Sequence, residues 1–258
     1  MKLEQRTVLI TGGTSGIGHE LARQLLARGN TVIVTGRDPS RLAATAAALP
    51  GVHTFCSDVA DPEQVAALRV QVLEQFPGLD TLVNNAGVMR NLDFNRVERI
   101  EDITREVDIN LSGLIHVTQQ FLPKLRSQPH ALLINVSSGL AFVPFPSAPV
   151  YSASKAAVRA FTRALRVQLR STGASVKVVE LAPPGTETPL FRDEFEAELV
   201  GQKGMDVELL VRKAIKCIES GSDEVRPGLS NVLELMSRLM PELMLGQLAK
   251  SFRPQLQT

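Results

Sequence analysis

Cysteine is scarce in this chain: Cys56 and Cys217, far apart, are the two in 258 residues. They form no Cys-x-x-Cys pair and no cluster with histidine, so neither a disulfide scaffold nor a metal site is expected, and a reducing compartment is. Charge of one sign is also missing, with 28 basic against 27 acidic residues and no long run of either. A nucleic-acid partner calls for a basic surplus or stripe, so none is expected. No apolar stretch reaches the roughly 20 residues needed to span a bilayer, which argues against an integral membrane segment. The opening MKLEQRTVLI lacks a signal-peptide pattern and runs into a strand, and a cytoplasmic protein is expected. Repeats and low-complexity linkers are absent too. What remains is a chain 44% apolar and 21% charged, suited to one large domain with a sizeable core over residues 1–258.

Short apolar runs at Thr7–Ile10, Thr31–Thr35, Val52–Cys56, Leu79–Val83, Ala131–Val136 and Val176–Leu181 alternate with helical periodicities. The latter cover Gly16–Arg28, Ser40–Leu49, Pro62–Phe76, Ile103–Arg126 and Val150–Ser171. Strands apolar on both sides, separated by helices, predict an α/β fold with a Rossmann-type doubly wound parallel sheet. From about Pro189 the pattern loosens. Residues 189–228 read as a substrate-loop region with the last helix and strand, and 229–258 as an apolar C-terminal helical extension. In that extension Met236, Met240 and Met244 stand at i, i+4 and i+8 among Val232, Leu233, Leu239, Leu243 and Leu248. Glu234, Ser237, Arg238 and Lys250 take the polar positions, and Pro241 predicts two short helices or one kinked one. The stripe could pack on its own domain, join two subunits or touch lipid.

The first strand ends in Gly12-Gly13-Thr14-Ser15-Gly16-Ile17-Gly18 and a helix follows. Glycines let the backbone turn sharply and approach a pyrophosphate, while the helix N-terminus offers free N–H groups. This placement marks a dinucleotide loop. The second strand ends in Gly36-Arg37, where an NAD binder usually carries a carboxylate for the ribose 2′-hydroxyl. Without that carboxylate a 2′-phosphate is not repelled, and Arg37 can grip it through paired hydrogen bonds, with Arg41 a turn further on. NADP(H) is therefore expected over NAD(H).

The chain has one tyrosine, Tyr151, four residues before Lys155. On a helix the two share a face, and a nearby cation should pull the phenol down from about 10 toward the operating range. Ser138 follows the strand before that helix, Asn84-Asn85-Ala86-Gly87 follows an earlier one, and Asn110 is an amide amid Ile109, Leu111 and Leu114. Strand carboxyl ends border the crevice where such sheets bind ligands.

Together, Thr11-Gly-x-x-x-Gly-x-Gly, Asp58, Asn84-Asn-Ala-Gly, Asn110, Ser138 and Tyr151-x-x-x-Lys155 resemble the short-chain dehydrogenase/reductase family over about residues 5–188. Within it the chain is most similar to the bacterial branch labelled DltE-like. The resemblance implies that Tyr151 exchanges the proton of a carbonyl or alcohol oxygen, with Ser138 holding that oxygen. Lys155 would bind the nicotinamide ribose and lower the tyrosine, and Asn110 would hold a water of a proton relay. Asp58, with Val59 beside it, would meet the adenine, while Asn84, Ala86 and Gly87 would border the adenosine ribose. Family members usually carry Pro-Gly-x-x-x-Thr after the sixth strand, but here Pro183-Pro184-Gly185-Thr186-Glu187-Thr188 stands there. Aligning on Thr188 puts Pro184 at the glycine; aligning on Gly185 leaves the threonine one residue short, with Thr186 the alternative contact to the carboxamide.

Leu140, Phe142, Val143, Phe145, Val88, Met89, Leu190, Phe191 and Phe195 suggest a small carbonyl or alcohol substrate of mainly apolar character. Arg90 and Arg192 read as rim residues or as hosts of an acidic group. A homodimer or homotetramer is expected. Two other readings are a catalytically silent NADP(H) sensor and a membrane-associated lipid or steroid reductase.

Overall fold

In the computed structural model, which describes residues 1–97, 99–195 and 198–250, the apolar runs are strands. They are β1 (Thr7–Thr11), β2 (Thr31–Gly36), β3 (His53–Cys56), β4 (Thr81–Asn84), β5 (Ala131–Val136), β6 (Val176–Leu181) and the short β7 (Glu224–Val225). Among the described residues they form one parallel sheet in the order β3-β2-β1-β4-β5-β6-β7. The chain winds outward from β1 to β3, then crosses back to set β4 beside β1. That reversal opens a crevice at the carboxyl ends of β1 and β4. Central strands β4 and β5 are buried throughout, whereas β3, paired on one side, is partly exposed, contrary to the two-sided burial its run suggested.

Helices α1 (Gly16–Leu26), α2 (Pro39–Ala48) and α3 (Pro62–Gln75) follow the first three strands. Asp38 and Asp61 start α2 and α3 by accepting N–H groups of the first turn, each just before a proline fit for that place. After β4 come α4 (Ile100–Val107) and α5 (Leu114–Arg126), then α6 (Pro149–Ser171), α7 (Pro189–Arg192), α8 (Val207–Glu219), α9 (Ser230–Leu239) and α10 (Pro241–Ala249). Apolar cores fill both faces of the sheet: Leu21, Leu25, Val211, Ile215 and Ile218 on one, Val65, Val72, Val117, Phe121 and Leu165 on the other. The helix expected over Ile103–Arg126 is interrupted by a π-helical turn at Asp108–Gly113. Gly113 lies there against the loop after β3, where a Cβ would stand 2.7 Å from Val59 Cγ2. The turn carries Asn110 to full burial.

Pro241 does divide the tail into two helices. Their orientation, however, reverses part of the expected amphipathic pattern. Glu234, assigned to the polar face, is buried, while Val232, Leu235, Leu239 and Leu243 are exposed. The reason is electrostatic: Glu234 Oε1 accepts from Arg159 at 2.7 Å and its Oε2 lies 2.8 Å from Arg226, so α9 docks by its acid. Residues 251–258 of the extension lie outside the described residues.

Candidate active site

The loop after β1 forms a cradle that side chains would fill. Gly12 and Gly16 have φ of 65° and 53°, a region that favours glycine. A Cβ on Gly12 would stand 2.8 Å from Ala86 Cα, and one on Gly18 would stand 2.4 Å from the Gly12 carbonyl oxygen. Ser15 makes no side-chain cap on α1, so the first amides of that helix keep their capacity for an anion. Thr14, Ser15, Gly16 and Ile17 line the resulting cleft with Gly36, Arg37, Arg41, Asp58, Val59, Ala86 and Gly87. Arg37 is exposed and makes no ion pair among the described residues. Asp38, the neighbouring carboxylate, is occupied by Ser40 and Arg41 N–H groups at 2.8 and 3.3 Å.

Tyr151 and Lys155 occupy the first turns of α6 and close the inner end of the same cleft. Both are buried, and Lys155 Nζ lies 5.7 Å from the Tyr151 ring centroid while donating to the Val136 carbonyl at 2.9 Å. Ser138 stands just beyond β5; its hydroxyl accepts the Leu140 N–H at 3.1 Å and partners the phenol as a hydrogen-bonding group. Burial pushes the Tyr151 phenol up to about 12, with Ser138 pulling down and Glu106 pushing up. Lys155 is brought down to about 8, also by burial. This corrects the expectation of a phenol lowered by its lysine: burial dominates both groups, and the ammonium is turned to the Val136 carbonyl. Asn110 Oδ1 accepts the Val88 N–H at 2.8 Å, and its Nδ2 donates to the Val88 carbonyl and Ser154 Oγ. It thereby ties the π-helical turn to the segment after β4 and to α6.

The family profile of short chain dehydrogenases matches residues 6–199. The chain belongs to the short-chain dehydrogenase family. It is 41% identical over 226 residues to the oxidoreductase DltE of Bacillus subtilis, covering 87% of this chain and 89% of that one. A short-chain dehydrogenase from Burkholderia cenocepacia, solved in complex with NADP, superposes with a TM-score of 0.82 at 26% identity over 96% of this chain and 99% of that one. A 3-ketoacyl-(acyl-carrier-protein) reductase from Brucella melitensis, complexed with NADH, gives 0.77 at 26% identity over 88% and 98%. This chain is thus an oxidoreductase of Rossmann architecture whose structural neighbours hold either nicotinamide dinucleotide.

Within this short-chain dehydrogenase some anticipated contacts move. Asn84 is buried and donates to Thr118 Oγ1 and Asn135 Oδ1, both at 2.9 Å, so it joins β4 to its neighbours instead of bordering the cleft. Asn85 takes the wall, its Nδ2 bridging the carbonyls of Thr11 and Gly12. Gly18 serves close packing beneath the loop. In the turn after β6, Thr188 lines the cleft with Pro183 and would meet a Cβ on Gly16 at 3.2 Å. Thr186 is buried, turned to the Pro184 carbonyl and bridged to Met205. Both candidate arginines are occupied: Arg90 pairs with Glu194 at 2.7 Å, and Arg192 pairs with Glu187 while lying over the Phe191 ring. Glu106 escaped sequence reasoning, because an acid on a surface-patterned helix reads as solvated. No helix among the described residues is long and apolar enough to cross a membrane.

Proposed function

We propose that this chain is an NADP(H)-dependent carbonyl reductase or alcohol dehydrogenase in which Tyr151 is the acid and base. The observation that carries the reading is one arrangement: Tyr151 and Lys155 buried at the inner end of a glycine-cradled cleft, with the buried Ser138 beside the phenol. The glycine loop and the start of α1 would hold the pyrophosphate, Arg37 with Arg41 the 2′-phosphate, and Asp58 with Val59 the adenine. Ala86 and Gly87 would border the ribose, Lys155 the nicotinamide ribose, and Pro183 with Thr188 the carboxamide. The cofactor, when bound, supplies or accepts the hydride.

The chain's own residues do the rest. Tyr151 gives its hydroxyl proton to a carbonyl oxygen in reduction and takes it back in oxidation. Ser138 holds that oxygen in line and donates to it as charge develops. Asn110 braces this centre; Oδ1 retains one lone pair through which the expected water relay to Lys155 can run.

The test is consumption of NADPH by the purified protein against a panel of aldehydes and ketones, followed by absorbance. Carbonyl-dependent consumption is expected, with NADPH bound at least about tenfold tighter than NADH, or roughly 1.4 kcal/mol. Tight binding with no consumption across the panel would contradict catalysis and leave a cofactor sensor.

A further inference from the structure

Behind the reacting centre stands a buried acid. Glu180 lies in β6 between Val179 and Leu181, and only 1% of it is exposed. Its Oε1 accepts the Ser137 hydroxyl at 2.7 Å. Its Oε2 has no hydrogen-bond partner and stands 3.7 Å from Nε of Arg159, an atom equally without one. A carboxylate satisfied on one side is costly to bury, and a leucine would fill this strand position at less cost. The acid therefore answers a need other than stability.

What it holds is the approach to Ser138. Strand β5 runs beside β6 with Asn135 opposite Glu180 and Val136 opposite Leu181, and the segment leaving β5 is pinned step by step. Lys155 Nζ donates to the Val136 carbonyl at 2.9 Å. The Ser137 N–H donates to the Leu181 carbonyl and the Gly139 N–H to the Pro183 carbonyl, both at 2.8 Å. Ser138 itself is extended, with φ of −164° and ψ of 158°. In extended backbone neighbouring side chains point to opposite sides, so a grip on Ser137 from β6 aims Ser138 the other way. Four-residue steps put Tyr151, Lys155 and Arg159 on one face of α6. Successive turns of that helix thus hold Val136 directly, through Lys155, and Ser137 indirectly, through Arg159 and Glu180.

We propose that Glu180 is a positioning residue: by holding the Ser137 hydroxyl it fixes the backbone from which Ser138 meets the substrate oxygen, in register with Tyr151 on α6. The inference rests on the reading that Tyr151 and Ser138 perform the chemistry.

The test measures kcat per NADPH-binding site, counted by fluorescence titration, on the panel carbonyl that the unmodified protein reduces fastest. Counting sites removes any loss that comes from unfolded protein. Ser137→Ala and Glu180→Leu are each expected to lower kcat at least about tenfold, since a misplacement of about 1 Å can cost about 100-fold. The NADPH dissociation constant should stay within about threefold. Glu180→Gln should recover most of the loss seen in Glu180→Leu, because its amide can hold the Ser137 hydroxyl in either orientation. In a Ser138→Ala background neither change should lower the residual turnover further, since groups that act as one unit are not additive. Ser137→Ala, which removes a single oxygen, decides alone should Glu180→Leu bind no NADPH. An unchanged kcat, a Gln variant as poor as the Leu one, or a full further loss on top of Ser138→Ala would each overturn the positioning role alone. So would a fall in NADPH affinity as large as the fall in kcat. No reduction of any carbonyl by the unmodified protein while NADPH binds would overturn the hydride-transfer reading and this inference with it.

Discussion

At the scale of single residues, burial decides more than charge pairing. Glu106 shows it most plainly, because its carboxyl stays protonated up to about 7 where an exposed glutamate ionises near 4.5. The unfolded chain releases this proton from about pH 4.5 upward, while the folded chain keeps it until about 7. The contribution of Glu106 to stability is therefore fully present below about 4.5 and lost as pH rises through 7. Glu106→Gln removes that slope, so urea midpoints of variant and parent should diverge in the variant's favour from about pH 5 to about pH 8. Parallel profiles would mean that the acid is solvated. Arg37 offers a second residue-scale test. It is exposed and free of ion pairs among the described residues, beside an aspartate committed to a helix cap. Arg37→Ser should weaken NADPH binding at least about tenfold and leave NADH within about twofold, read by fluorescence titration. Gly36→Asp added to it should then favour NADH, although the new Cβ would press Thr14 Cγ2 at 3.0 Å. Equal loss for both cofactors would remove Arg37 from phosphate recognition.

Among the elements, those near the site are held by contacts that cross long stretches of sequence. Arg159 of α6 and Arg226, just past β7, lie over the Phe142 ring at 4.6 and 5.7 Å, and both grip Glu234 of α9. Ser230 and Leu233 of the same helix cover Gly139, the residue after Ser138, where a Cβ would meet them at 3.2 and 3.1 Å. The tail helix thus braces the turn that holds Ser138. Glu234→Ala removes the acid that Arg159 and Arg226 share, leaving them to Glu180 and Glu224, and should cost roughly 2 kcal/mol, the worth of a hydrogen bond to a charged group. It should also lower kcat several-fold while the NADPH dissociation constant stays put. A variant with unchanged kcat and unchanged melting temperature would show α9 to be a bystander. The sheet itself was legible, because strands covered on both faces must be runs of apolar residues and β1, β4, β5 and β6 are. So was the glycine cradle, since its spacing and its place between strand and helix carry the chemistry. The facing of α9 was not legible: whether Glu234 points outward depends on arginines 75 and 8 positions away in the chain. Nor was the choice between Asn84 and Asn85, which rests on a single step in strand register, each residue pointing to the opposite side. Glu106 was hidden by the same limit, since pattern places an acid on the wet face unless a fold overrules it.

For the whole molecule, the tail leaves an outward apolar face. Val232, Leu235, Leu239 and Leu243 are exposed on α9 and α10. An uncovered apolar face of this kind is where a subunit contact is tested first. Leu235→Ser with Leu239→Ser should lower the mass seen by light scattering if that face assembles copies, and an unchanged oligomer would place the contact elsewhere. The fold otherwise brings a glycine cradle, a buried tyrosine and an apolar wall together at the carboxyl ends of the strands. The most direct measurement is therefore made on the intact protein with Tyr151→Phe, which keeps the ring and removes the proton-bearing hydroxyl. Expected is a loss of carbonyl-dependent NADPH consumption of 100-fold or more, about the minimum worth of general acid–base catalysis, with NADPH affinity nearly unchanged. Retention of more than about a tenth of the turnover would contradict Tyr151 as the acid and base.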